Sequence, residues 1–494
     1  MPSYKHGVYT SEVPTSLLPA VAVESGVPVV FGTAPVNMAD PTNVNKPVLC
    51  NSYAEFVSAF GFVPARADST SGFEKFDYSL CEAAYAIFSL FGVAPAVFVN
   101  VLDPTDHKVT ATTVSVTLDA STGSCVVEEA GIIPSSVTIT PASSQSYNQG
   151  EDYTLSFDDE GNLVISSLAN EGGEFLCTTG TALTFAAEKL DSSAVVDDDI
   201  IGGVDVSGKK SGLELISEVY PRFGIVPGTI IAPGFSEDPG VAAVMAAKAV
   251  NINGRFNAMA VIDVPTTTVK QYSQIPSWKT QNNITDPHQI VCWPMLSLDG
   301  MLFHYSTQLA ALMVQVDGED GVPYMSPSNH NLQMTASVLS DGTEVWLDYE
   351  AAAYLNGEGI VTATNGDSGW LCWGNRTAAY PGSTDVKDVM IPIRRMMNWI
   401  ANTLTVTYWQ QVDAPINQRF IQTLVSSCNV WLNGLAARQF ILSGSVDFRS
   451  DENPTTDLMD GIVKFHVLVC PPSPARDIEF IMEYDVNGQS VLFG

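Results

Sequence analysis

Residues 229–265 read TIIAPGFSEDPGVAAVMAAKAVNINGRFNAMAVIDVP. TIIAPGF and AMAVIDVP are short apolar runs bounded by Pro or Gly, as buried strands are. Between them PGVAAVMAAKAV has helical length and composition. Strand, helix, strand implies parallel neighbours in a sheet with helices over its faces.

The pattern extends both ways. Downstream, IVCWPML (290–296) reads as a strand and MLFHYSTQLAALMVQV (301–316) as a helix; upstream, GLELISEVYPRFG (212–224) reads as a helix. Nearer the start, VPVVFG and AVFVNVL (96–102) are strand-like. They enclose two helical runs, YAEFVSAFG and YSLCEAAYAIFSLFG, each ending at a glycine. Between these α/β parts the composition changes. KVTATTVSVTL, SSVTIT, DYTLSF, NLVISSL and ALTFAA alternate as short strands, and DDEG (158–161) joins two as a hairpin. Residues 106–200 hold 16 acidic and 2 basic side chains, which predicts an exposed, strongly negative insertion.

The expected architecture is therefore α/β plus α+β: a discontinuous α/β middle domain, an inserted all-β domain, and a C-terminal α+β domain flanked by extended N- and C-terminal arms. The expected boundaries are 1–22 for the N-terminal arm, 23–105 and 200–375 for the α/β domain, and 106–199 for the β insertion. Residues 376–494 form the last unit, its arm starting at about 471. That unit reads as two helices, roughly 389–408 and 415–437, then three strands, FILSGSVDF, IVKFHVLVC and DIEFIMEYD. In the last, Ile478, Phe480, Met482 and Tyr484 share one face and Asp477, Glu479, Glu483 and Asp485 the other, the pattern of a half-buried strand.

Charge narrows the function. The 494 residues carry 54 Asp plus Glu against 22 Lys plus Arg, a formal net charge of −32. Phosphate recognition needs clustered basic residues, so nucleic acid is excluded as the principal ligand, as is docking on an anionic membrane. Nine of the 22 basic residues lie after position 375, which suggests that this part meets something acidic. The eight cysteines are scattered without a Cys-x-x-Cys pair, fitting a reducing compartment. The N-terminus lacks a signal peptide's apolar core, and no run is long enough for a spanning helix; a soluble protein is expected.

No motif supports catalysis, a cofactor or a metal. GDSGW (366–370) contains a sequence found around protease nucleophiles, but none of the six histidines has a matching context; NGDSG reads as a turn. GVDVSGKK (203–210) nearly spells a phosphate loop, yet Lys210 stands where Ser or Thr should hold magnesium. The clusters Asp197-Asp198-Asp199 and Asp158-Asp159-Glu160 lack the ligand periodicity of a calcium loop.

Four separated blocks carry a resemblance. IIGGVDVSGKKSGLELISEVYPRFGIVPGTIIAPGFSEDPGVAAVMAAKAVNINGRFNAMAVIDVP (200–265) resembles the central block of contractile tail sheath proteins of bacteriophages and related injection systems. GVYTSEVPTS is similar to that family's N-terminal arm. WGNRT (373–377) with IPIRRMMNWIANTL (391–404) is similar to the opening of its C-terminal domain, and MDGIVKFHVLVCPPSPARDIEFIMEYD to its closing strands. The chain departs from the pattern at Arg476-Asp477, where an acidic residue is expected soon after Pro-Ala.

The resemblance implies a structural subunit of a virion tail, assembled in the bacterial host cytoplasm. It implies homo-oligomeric hexameric rings stacked helically around a tail tube protein, with baseplate and tail terminator proteins as further partners. It also implies no direct nucleic-acid contact, no membrane insertion and no cofactor. In that setting Val8, Tyr9 and Thr10, and Ile478, Phe480, Met482 and Tyr484, are the inter-subunit arm strands. Within IPIRRMMNWIANTL, Ile393, Met396, Met397, Ile400 and Leu404 share one helical face. Arg394, Arg395, Asn398 and Asn402 lie opposite, a face expected to turn toward the tube. The competing readings are a surface or adhesin-type structural protein with an acidic β domain, and a cytosolic α/β enzyme.

Overall fold

The computed structural model describes residues 20, 22–68, 71–141, 146–485 and 492. Its centre is an eight-stranded sheet. In chain order the strands are β1 (Pro28–Gly32), β2 (Pro47–Cys50), β3 (Ala96–Asn100), β4 (Thr229–Ile231), β5 (Met259–Asp263), β6 (Gln289–Cys292), β7 (Ile360–Gly366) and β8 (Gly369–Trp373). Their spatial order is β2-β3-β1-β4-β5-β6-β7-β8. The six strands from β3 to β7 are parallel, and an antiparallel strand closes each edge. Every residue of β1, β3, β4 and β5 is buried, as parallel strands covered on both faces must be. The helix Pro239–Ala249 crosses from β4 to β5; Asp238 caps it by accepting the Gly240 and Val241 N–H groups.

Two predicted elements break differently from the sequence reading. IVCWPML is two strands in two sheets. Gln289–Cys292 joins the main sheet, the chain turns at Trp293-Pro294, and Met295–Leu298 pairs with Met301–Phe303 and Ala336–Val338. An apolar run with no polar break gives no sign of a change of sheet. Consequently the helix expected from Met301 begins only at Tyr305. It runs to Gly318 and is called α1.

Residues 108–190 form separate short ladders. Two three-stranded antiparallel sheets enclose one core of Val116, Leu118, Val127, Ile139, Leu163 and Phe185. DDEG is a hairpin turn between Tyr153–Phe157 and Asn162–Ser167, as its composition suggests. In it the Asp158 carboxylate accepts the Glu160 and Asn162 N–H groups.

The last unit has the helices α2 (Ile391–Tyr408) and α3 (Gln418–Ala437), then β9 (Ser443–Asp447) and β10 (His466–Cys470) as an antiparallel pair. Met396, Trp399 and Ile400 of α2 pack with Cys428, Leu432 and Leu435 of α3 and Val446 of β9. The expected third strand is missing. Residues 471–485 have no strand assignment, and Ile478, Phe480, Met482 and Tyr484 are 68 %, 85 %, 93 % and 72 % exposed. Period-2 alternation states which side chains share a face; it does not supply the neighbouring edge that a strand needs for its N–H and C=O groups.

Candidate assembly site

The exposed tail sits next to an incomplete sheet. Among the described residues β9 and β10 pair only with each other; the outer edge of β9 is taken at Val446, whose N–H and C=O bond the Asn429 amide of α3, so β10 presents the open edge. A two-stranded sheet is marginal alone, and an open edge is a template for another strand. Leu442, beside β9, and Leu468, in β10, are 67 % and 48 % exposed. The geometry is that of a strand acceptor joined to a strand donor on one chain. Val8, Tyr9 and Thr10, the expected N-terminal donor, lie outside the described residues.

The polar face of α2 is not an outer surface; the expectation that it turns toward a tube is corrected here. Arg395 is 5 % exposed and forms a bidentate ion pair with Asp317 at the end of α1; one arm, Nη1 to Oδ1, measures 3.0 Å. Asn398 is buried, donates to the Ala258 carbonyl at 3.3 Å and accepts from Arg394 Nε at 3.1 Å. Asn402 clamps the backbone of Asn257, accepting its N–H at 3.0 Å and donating to its carbonyl at 2.8 Å. Arg394 is largely covered and pairs with Asp388 at 3.2 Å.

Both faces of α2 are therefore used inside the subunit. The apolar face builds the last unit's core, and the polar face stitches that unit to the α/β sheet. The root of the N-terminal segment is held at the same seam. Trp399 Nε1 donates to the Val23 carbonyl at 2.9 Å. Gly26, at φ +75°, passes so close that a Cβ would lie 3.0 Å from Asp317 Oδ2 and 3.1 Å from an Arg395 nitrogen. Only glycine satisfies both the backbone angle and the space. One signal for the pair was present: Asp317 is an acid in the last turn of a helix, where the macrodipole disfavours it.

The sheet also has a place where folds of this class bind ligands, outside the carboxyl ends of β1 and β4, where the strand order reverses. Here the chain's own side chains occupy it. Glu82, 4 % exposed, accepts the His304 N–H at 2.6 Å and contacts His304 Nδ1 at 2.9 Å. Asp263, at the end of β5, accepts the Ser306 N–H at 2.9 Å and the Ser236 hydroxyl at 3.3 Å. Burial disfavours a charged imidazole, but the carboxylates of Glu82, Asp263 and Glu237 outweigh it and push His304 up to about 10. Glu237 is raised to about 7, chiefly by burial. This network was not legible in the sequence: its members are far apart in the chain and match no motif.

A prediction follows for Glu237. Its folded value lies above the ordinary 4.5, so its contribution to stability is full below about pH 4.5 and is lost as pH rises through 7. Glu237→Gln should match the wild type near pH 4 and exceed it by on the order of 1–2 kcal/mol at pH 8. Urea denaturation at the two pH values checks this; an equal difference at both would refute it.

The tempting motifs resolve into turns. In GVDVSGKK, Gly203–Val204 pairs with Lys210–Ser211, and Asp205 accepts the Ser207 and Lys209 N–H groups at 2.7 and 2.9 Å. Amides that would cradle phosphate are thus taken. GDSG is the hairpin turn between β7 and β8, with Gly366 opposite Gly369. Asp199 caps its own short helix by accepting the Val196 N–H. Among the described residues no group of three or more His, Cys, Asp or Glu could hold a metal ion, and no helix is long and apolar enough to cross a membrane.

No family model matches the chain. The tail sheath protein of Burkholderia phage BcepMu is 29 % identical, and the alignment covers 95 % of each chain. Over nearly its whole length the chain is homologous to a phage tail sheath protein. A prophage major tail sheath protein of Pseudomonas aeruginosa is 23 % identical over 65 % of this chain and 80 % of its own length. Among solved structures, the sheath of the extracellular contractile injection system PVC in its contracted state matches with a TM-score of 0.59 at 14 % identity, over 99 % of each chain. The contracted helical sheath of the anti-feeding prophage matches at 0.55 and 14 %, over 98 % of this chain and 100 % of that one. At such identity these structures speak for the fold, and they cover the sheath chain almost end to end.

Proposed function

We infer that this protein is the structural subunit of a contractile tail sheath. It polymerises as stacked hexameric rings around a tail tube, and the sheath shortens to drive the tube through the envelope of a target cell. The observation that carries the reading is the end-to-end likeness to a phage tail sheath protein. The exposed alternating segment 476–485 beside the open-edged pair β9–β10 supports it. Strand donation joins copies through main-chain hydrogen bonds whose geometry is independent of how the rest of each subunit is oriented. Rings could then stay linked while subunits rotate. The contact is heterologous, so it propagates into an open helical array.

In this reading the tube, baseplate and tail terminator proteins are the partners, the protein resides in the virion tail, and it is not an enzyme. Shortening needs no nucleotide if assembly traps a higher-energy lattice that gains contacts on collapse. The filled crevice at β1 and β4 is consistent with a binding fold turned to structural use.

The test is polymerisation of purified full-length protein without nucleotide, viewed by negative stain. Tubes or stacked rings are expected. Monodisperse monomers at every salt and protein concentration, or growth only with ATP, would overturn the reading.

A further inference from the structure

Among the described residues, about half of the basic side chains of this acidic protein are in ion pairs within the chain, as in Lys75–Asp68, Lys108–Glu188, Lys248–Glu214, Lys387–Asp385, Arg394–Asp388 and Lys464–Asp457. Arg376 and Arg476 are different. They line one groove of about 380 Å³, together with Trp373, Tyr380 and Asn375. Neither is in any ion pair among the described residues. Asp477, the carboxylate on the same rim, pairs with neither. Arg376 is half-buried, and its guanidinium lies 4.4 Å from the Tyr380 ring centroid. Its backbone is held by a bridge to Met390, so the side chain projects from a fixed base. Burial and the nearby Arg476 both act against its positive charge.

Two like charges converge in a partly desolvated groove with no counter-ion of their own. Such an arrangement is costly alone and is relieved by an anion between them, since guanidinium forks match carboxylates in geometry as well as charge. We propose that this groove is a contact between copies, in which Arg376 and Arg476 hold a carboxylate side chain of a second copy of this chain. The inference rests on the sheath reading and adds a specific contact to it. A second copy is the occupant for two reasons. It brings a net charge of −32, with its carboxylates far in excess of its own basic groups. Arg476 also stands at the root of the exposed strand-forming segment, so the groove is continuous with the surface where copies would join. The aromatic floor of Trp373 and Tyr380 suits an interface core, where Trp, Tyr and Arg concentrate binding energy.

The experiment uses purified full-length protein and its Arg376→Gln, Arg476→Gln and double variants. It reads the threshold concentration for polymerisation at low and high salt, and monomer melting. Losing both charge-assisted contacts should raise the threshold at least about tenfold and flatten its salt dependence, with Arg376→Lys recovering part of the loss. Arg476 is exposed, so its single variant should melt as the wild type does and still raise the threshold. Polymerisation of the double variant at the wild-type threshold would overturn the proposal. So would inorganic phosphate stabilising the wild-type monomer, but not the double variant, while polymerisation stays the same; the groove would then serve a free anion. A wild type that never polymerises would instead remove the sheath reading, and the proposal with it.

Discussion

Replacing Ile478, Phe480 and Met482 together with aspartate should leave a folded monomer that forms no tubes. The three side chains are 68 %, 85 % and 93 % exposed, so their loss costs the monomer only a few tenths of a kcal/mol each, about the level of ordinary surface substitutions. In an added strand the same three would be buried on one face. Burying an apolar side chain contributes about 1.5–3 kcal/mol, and a carboxylate there also carries a desolvation cost. A summed loss of more than about 4 kcal/mol raises the polymerisation threshold by more than about a thousandfold. Glu479→Gln with Glu483→Gln, on the opposite face, is the control and should polymerise. Sedimentation and melting curves read both quantities. Tubes from the triple variant at the wild-type threshold would show that this segment is not the strand that joins copies.

The second large effect is expected at the seam. Arg395→Met alone leaves the Asp317 carboxylate buried, with burial already pushing it above the usual carboxylate range. Asp317→Leu alone leaves a buried guanidinium. Breaking a buried pair from either side costs about 3–5 kcal/mol, whereas replacing both partners with apolar groups of similar size is often neutral. Each single variant should therefore shift the urea midpoint strongly, and the Arg395→Met/Asp317→Leu double variant should recover most of it. Trp399 neighbours the seam in α2, so its fluorescence is a convenient local probe. Equal losses in the double and single variants would mean that the pair contributes by shape rather than by charge.

These two sites show what could be read from residue order. At 476–485 the period-2 alternation says which side chains would share a face in a strand, but the segment is exposed and has no strand assignment. A strand's faces are set by its own pleat, while its partner edge must come from elsewhere. In α2 the 3.6-residue period separates Met396 and Ile400 from Arg394, Arg395, Asn398 and Asn402, and both stripes exist as expected. The error lay in equating the polar stripe with an outer surface. Arg395 is satisfied by Asp317, 78 residues away, and Asn402 by the backbone of Asn257, 145 residues away. Local periodicity carries no information about partners at that separation.

The same division holds for the chain as a whole. Short-range order determined the parallel sheet, because buried strands separated by crossover helices have few other ways to hide their apolar faces. It also determined the alternating ladders of residues 108–190 and the turns at Asp158, Asp205 and Asp367, which depend on residues a few positions apart. The tertiary structure alone decided that IVCWPML divides between two sheets, that Glu82 and His304 fill the crevice beyond β1 and β4, and that the arginine pair of α2 belongs to a seam. Each of these is a pairing of polar groups or strand edges brought together from distant parts of the chain. The free energy of a buried charge depends on what stands opposite it, and only the folded chain supplies that neighbour.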